Sequence, residues 1–139
     1  MRKKQCMSCG EPGMVYQTGQ TLTAACEDEN ESVSHLSGWF CPHCGDAVLD
    51  AKSMARYSAV GDAVVLRCRE KRTAAIRGIR KKLGLTQKRA AELFGGGVSA
   101  FSEYERGKTQ PHKSTVVLLN ILDKHPELLA ELGHSQSRK

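Results

Sequence analysis

Four of the six cysteines fall in two pairs of identical spacing, Cys6-Met7-Ser8-Cys9 and Cys41-Pro42-His43-Cys44. A Cys-x-x-Cys turn presents two sulfurs from one tight loop, and a tetrahedral ion needs four thiolates at about 2.3 Å. The spacing therefore predicts one structural zinc ion (Zn2+) per chain, held by Cys6, Cys9, Cys41 and Cys44, with no position open for a catalytic water. Gly10 and Gly45 directly follow the two pairs, where glycine lets the backbone turn its amides toward sulfur. A redox site would instead want a single Cys-x-x-Cys beside a βαβ pattern. His35 and His43 are expected outside the ligand shell, Cys26 as a spare thiol, and Cys68 as a core residue.

The chain that must position these ligands has 139 residues and a net charge of +6, and 40% of it is hydrophobic. That is one average domain or two small ones, too little for a large enzyme with a deep interior cleft. The apolar runs are far shorter than the roughly 20 residues a membrane helix needs. Met1-Arg2-Lys3-Lys4 leads straight into polar residues with no apolar core of a signal peptide. A cytoplasmic location, where thiols stay reduced, is the expectation. Charge divides unevenly, with 7 Lys+Arg against 9 Asp+Glu through residue 70 and 14 against 6 beyond it. The asymmetry predicts two domains with different partners, 1–70 and 71–139. The charge-dense Cys68-Arg69-Glu70-Lys71-Arg72 is the expected short linker between them.

In the first half, residues 13–18 and 34–40 read as strands, with Val15, Leu36 and Phe40 inward. The acidic run from Cys26 to Ser32 reads as an exposed loop. Asp50 is placed to cap a helix ending near Arg67, with Met54, Tyr57, Gly61, Val64 and Cys68 on its inner face. The second half reads as helical throughout. Ile76, Ile79 and Leu83 form a stripe that Gly84 ends; Thr86 caps a second helix, residues 87–94, with Ala90, Leu93 and Phe94 inward. Gly95-Gly96-Gly97 breaks it, and a third helix, residues 98–106, buries Phe101 and Tyr104. Ser114 caps a fourth, residues 115–124, carrying Val117, Leu118, Ile121 and Leu122, and Pro126 opens a fifth. The expected fold class is thus an α+β zinc-bound N-terminal domain joined to an all-α five-helix helix-turn-helix domain.

The stretch Leu85-Thr86-Gln87-Lys88-Arg89-Ala90-Ala91-Glu92-Leu93-Phe94-Gly95, followed by Phe101-Ser102-Glu103-Tyr104-Glu105-Arg106-Gly107, resembles the phage-repressor (Xre/Cro) helix-turn-helix. Phe94-Gly95-Gly96-Gly97-Val98, Gln110-Pro111-His112 and Leu122-Asp123-Lys124-His125-Pro126-Glu127-Leu128-Leu129 resemble more closely the MqsA family of zinc-finger antitoxins. The resemblance covers nearly the whole chain. It implies an antitoxin of a type II toxin-antitoxin pair, whose zinc domain holds an RNase toxin of RelE-like fold. It also implies a homodimeric C-terminal domain that represses its own operon on double-stranded operator DNA.

On this basis the DNA-contacting candidates are Thr86, Gln87 and Lys88 at the start of the second helix, where a helix N-terminus meets phosphate. Gly97 and Val98 lead into the recognition helix; Ser99, Ser102, Glu103 and Arg106 point outward from it, and Lys108 follows. Ser99 and Glu103 stand where similar family members carry larger amide and basic base-readers, a departure bearing on the operator sequence. The alternative is a stand-alone zinc-containing repressor sensing redox state or metal, with Cys26 and Cys68 as modifiable thiols. An enzyme is not expected: no Ser-His-Asp or paired-carboxylate arrangement is visible, and the glycine run lacks the Lys-Ser/Thr of a phosphate loop.

Overall fold

The computed structural model describes residues 4–134. The chain divides into two compact units, one ending at Cys68 and the next beginning at Arg69. In the first, two long strands, β1 (Val15–Cys26) and β2 (Glu29–Phe40), form an antiparallel hairpin, and short β3 (Ala47–Leu49) pairs with the end of β2. The acidic run is therefore not a loop. Glu29 and Glu31 pair across the hairpin with Cys26 and Ala24, and only Glu27 and Asp28 form the turn. Charged and polar residues are tolerated in both strands because one face of the hairpin meets solvent. Register shifts between Gln17 and Gln20, and between Gln20 and Leu22, break the alternation that would mark β1 as a strand.

Val33, Leu36 and Leu49 form the core of the sheet, with Leu22, Phe40, Tyr57 and Val60 packed against it. Val15, expected inward, is exposed opposite Phe40 near the end of the sheet. β3 approaches β2 so closely at Gly38 that a Cβ there would lie 2.5 Å from the Val48 carbonyl oxygen. Only glycine fits without moving the strand.

A single helix, α1 (Ala51–Lys82), runs through the residues expected to form the linker. Residues 68–72 contain neither Pro nor Gly, and dense charge on an exposed helical surface is no obstacle to helix. Asp50 Oδ1 accepts the Ser53 N–H at 2.9 Å, the bond of an N-cap, and Tyr16 adds a hydroxyl at 3.3 Å to Oδ2. Ser53 in turn accepts the Ser37 amide at 2.8 Å, fastening the start of α1 to β2. Val64 and Cys68 are buried as the stripe predicted, whereas Met54 is exposed.

The second unit comprises the end of α1, α2 (Gln87–Phe94), α3 (Ala100–Glu105), α4 (Lys113–Lys124), a 3-10 turn (Pro126–Leu128) and α5 (Leu129–His134). Its core is Ile76, Ala90, Ala91, Ala100, Phe101, Tyr104 and Leu119, with Ile79, Leu85 and Phe94 packed around them. Phe94, Phe101 and Tyr104 pack in succession, the first pair tilted and the second edge-to-face, with ring centroids 5.7 and 5.5 Å apart. On α4 the buried residues are Leu119 and Leu122, while Val117 and Ile121 are exposed. The helix begins two residues earlier than expected, at Lys113, so Ser114 lies inside it and is not its cap.

Thr86 caps α2 through a 3.1 Å bond from the Arg89 N–H to its Oγ1. Thr86→Ala is expected to lower the stability of this unit by about 1 kcal/mol, read as a shift in the urea midpoint without a change in slope.

Candidate functional site

Each Cys-x-x-Cys pair lies in the same local turn. The Cys6 N–H donates to the Glu11 carbonyl and the Cys41 N–H to the Asp46 carbonyl, at 2.9 and 2.8 Å. Gly10 and Gly45 close the turns at φ +79° and +76°, donating their N–H groups to the Cys6 and Cys41 carbonyls. The glycines thus serve the turn itself. The amides that reach sulfur belong to Glu11, His43, Cys44 and Asp46. Ser8 Oγ donates to Asp46 Oδ2 at 2.6 Å and ties one turn to the other. Beneath them Cys6, Met14 and Cys41 form a small apolar cluster covered by Trp39, over which Lys4 Nζ sits 5.0 Å from the ring centroid.

The four sulfurs all lie within 4.8 Å of one another, and no histidine joins the group among the described residues. Cys6 and Cys44 Sγ are 3.7 Å apart, as are Cys9 and Cys41 Sγ. A tetrahedron with metal–sulfur bonds of 2.3 Å has edges of about 3.8 Å, whereas a disulfide requires about 2.05 Å. The arrangement fits a metal ion and not two disulfides. Electrostatics agree. The Cys44 amide, helped by the His43 amide against the cost of burial, brings the Cys41 thiol down to about 6. Cys44 also receives an amide, from Asp46, yet burial and the sulfurs of Cys9, Cys41 and Cys6 push it up to about 12. Without a cation the Cys41 thiolate forms readily while Cys9 and Cys44 resist; a bound dication favours the thiolate at every ligand.

In the second unit the candidates have diverging environments. Lys88, Val98, Ser99, Arg106 and Lys108 are exposed, and Gly97 lies just before α3 at φ +91°. Lys88, Ala91, Glu92, Gly97 and Val98 line a cleft of about 180 Å3. Ser99 donates through Oγ to Glu103 Oε1 at 3.1 Å, and Thr109 Oγ1 lies 3.4 Å from Glu103 Oε2. Half-buried Ser102 offers its carbonyl to Arg106 Nε at 3.2 Å. Thr86 is occupied by its cap. Half-buried Gln87 donates through Nε2 to Glu105 Oε2 at 3.0 Å.

Glu105, absent from the sequence candidates, is the buried acid of the unit. Arg80 grips both its oxygens, Arg77 approaches one at 3.5 Å, and Arg80 also donates to the Leu85 carbonyl at 2.8 Å. Although burial opposes ionisation, the hydrogen bonds of Arg80 and Gln87 hold the carboxyl below the usual glutamate range. Its place at the fourth position after Phe101, on the face of Phe101 and Tyr104, was the signal in the sequence.

Residues 4–133, a span that includes both the sulfur cluster and the helical unit, match the family described as the antitoxin component of the bacterial toxin-antitoxin system, MqsA. The chain belongs to the MqsA antitoxin family. Antitoxin MqsA of Escherichia coli strain K12 is 46% identical over 99 residues, covering 70% of this chain and 76% of that protein. Membership of the MqsA family suggests a non-enzymatic regulator of a toxin-antitoxin system. Among the described residues no helix is long and apolar enough to cross a membrane.

Proposed function

We propose that this member of the MqsA family is a cytoplasmic antitoxin that neutralises an RNase toxin of RelE-like fold and represses its own operon. The observation that carries the reading is a family match running through both units, one with a four-sulfur cluster and one basic and helical. In it, residues 1–70 form a domain that binds toxin and residues 71–139 one that binds DNA and dimerises. The metal is zinc: four thiolates in a closed tetrahedral shell are its preferred structural set, and its role is to hold the fold.

An RNase must keep a polyanionic substrate on a basic surface, and the first 70 residues carry the excess of acids. The hairpin end, with Glu27 and Asp28 exposed at its turn and Glu29 and Glu31 behind them, is the natural contact. Reversing these four charges is expected to weaken toxin binding in a calorimetric titration; unchanged affinity would remove the hairpin from the interface.

For DNA, α2 and α3 form the helix-turn-helix, with Thr86 and Lys88 near the backbone and Ser99, Ser102, Glu103, Arg106 and Lys108 toward the groove. Gly97 and Val98 set the entry of α3. Gln87 supports the unit from inside through Glu105. A dimer touching about six phosphates should give a slope near −5 in log K against log salt, and a flat line would exclude repression by this route. The exposed apolar residues Val117 and Ile121, one turn apart on α4, together with exposed Leu128, supply the dimer seam. Ile121→Lys is expected to convert the dimer into a monomer in sedimentation experiments while leaving the helical content intact. Co-expression with the neighbouring reading frame, followed by native mass spectrometry, tests the whole: a zinc-bearing dimer that retains a small basic protein supports the antitoxin reading, and one that retains nothing opposes it.

A further inference from the structure

Two cysteines lie outside the metal cluster, and the fold brings them together. Cys26 ends β1, half-buried beside the Glu27–Asp28 turn. Cys68, 42 positions later on α1, is buried, and its thiol donates to the Cys26 carbonyl while lying against the Cys26 thiol. The preceding residue strengthens the alignment. Arg67 reaches the same end of the hairpin, with Nε 3.1 Å from Glu29 Oε2 and a terminal nitrogen 2.9 Å from Glu31 Oε2. The helix and the hairpin end are thus held by two carboxylates and one carbonyl at the point where the thiols meet.

We infer that Cys26 and Cys68 form a reversible intramolecular disulfide, a modification site separate from the metal cluster, with a hydroperoxide as the oxidant. Cys26, the more accessible, attacks as thiolate; an S–O bond forms, the O–O bond breaks, and the departing hydroxide takes a proton to become water. Cys68 then gives up its proton and attacks the Cys26 sulfur. An S–S bond forms, and the hydroxide released from the sulfenic acid takes that proton as a second water. Two thiols lose two electrons, and hydrogen peroxide is reduced to two waters. A dithiol reverses the step by exchange.

The order of attack follows from the surroundings. Burial first, and then the adjacent Cys26 thiol, push Cys68 up to about 11. The product replaces a weak S–H···O hydrogen bond by a covalent S–S bond and fixes the acidic hairpin end to α1.

The test is intact-mass analysis of the full zinc-loaded chain after stoichiometric hydrogen peroxide at neutral pH. The expected product is lighter by about 2 Da, retains its metal under native conditions, and is restored by dithiothreitol. Cys26→Ser should show no such loss. Cys68→Ala should stop at a sulfenic acid on Cys26, captured by dimedone. Should Cys68→Ala prove unstable, Cys26→Ser at the half-buried position decides alone. A 2 Da loss that persists in Cys26→Ser, or that appears only with release of metal, would assign the disulfide to the cluster and overturn the inference. So would addition of oxygen to the parent chain without a cross-link.

Discussion

Stripping the metal from the four-cysteine cluster is expected to unfold the first unit at room temperature. A domain of this size carries about 3–10 kcal/mol of stability in total, while binding at a structural zinc site supplies about 10–16 kcal/mol. The apolar cores of the unit are small: Val33, Leu36 and Leu49 with a few half-buried neighbours in the sheet, and beneath the turns, among the described residues, only Met14 and Trp39 beside the cysteines themselves. A strong chelator should abolish the near-ultraviolet dichroism of Trp39, and Cys41→Ser should reproduce the loss in the presence of zinc. The helical signal of the second unit should remain. Retention of the Trp39 signal after complete chelation would show that the sheet stands without its metal.

The second large effect lies in Glu105. Glu105→Ala is expected to cost about 3–5 kcal/mol, because it leaves the nearly buried Arg80 guanidinium without its carboxylate. Gln87 loses its acceptor in the same change. For a unit of about 70 residues this is a fall in melting temperature of about 15 °C or more. The pH dependence has a definite sign. The folded state holds the Glu105 carboxyl lower than the unfolded chain does, so its contribution is complete above the ordinary glutamate value of 4.5. It is lost as pH falls from there through the lower folded value. The parent chain should therefore lose stability on acidification, and Glu105→Gln should show a shallower dependence over that range. Equal acid sensitivity of the two would mean that other carboxylates govern the unit. Replacing Arg80 and Glu105 together by apolar residues should cost far less than either single change, since neither charge is then left buried alone.

These two sites differ in how far the sequence discloses them. The metal cluster depends on chemistry repeated at short range: two sulfurs three positions apart, then glycine, twice. Sequence displays that directly, and the fold only has to bring two turns together. Likewise α2 and α3 are bounded by Thr86 and by glycines, residues whose local conformations are nearly independent of what packs on them. Glu105 depends on an arginine 25 positions away, and a single charged residue in a helix reads as solvated until its neighbours are known. The hairpin was obscured for a related reason. Cys26 to Ser32 resembles a loop in composition, yet Arg67 on α1 supplies a cation to Glu29 and Glu31, a partner visible only in three dimensions. In α1 the misleading signal was charge density itself, which marks a linker only where the helix has another reason to stop.

The order of the ligands along the chain has a consequence during synthesis. The last of the four cysteines is Cys44, and the first unit ends at Cys68. A ribosome adds about 5–20 residues per second, so the residues after Cys68 occupy it for several seconds more. Throughout that interval a nascent chain already owns every sulfur its metal requires and both strands of its hairpin. Metal capture can thus precede the making of α2 to α5, and a shortage of the metal would be felt first by chains still attached to the ribosome.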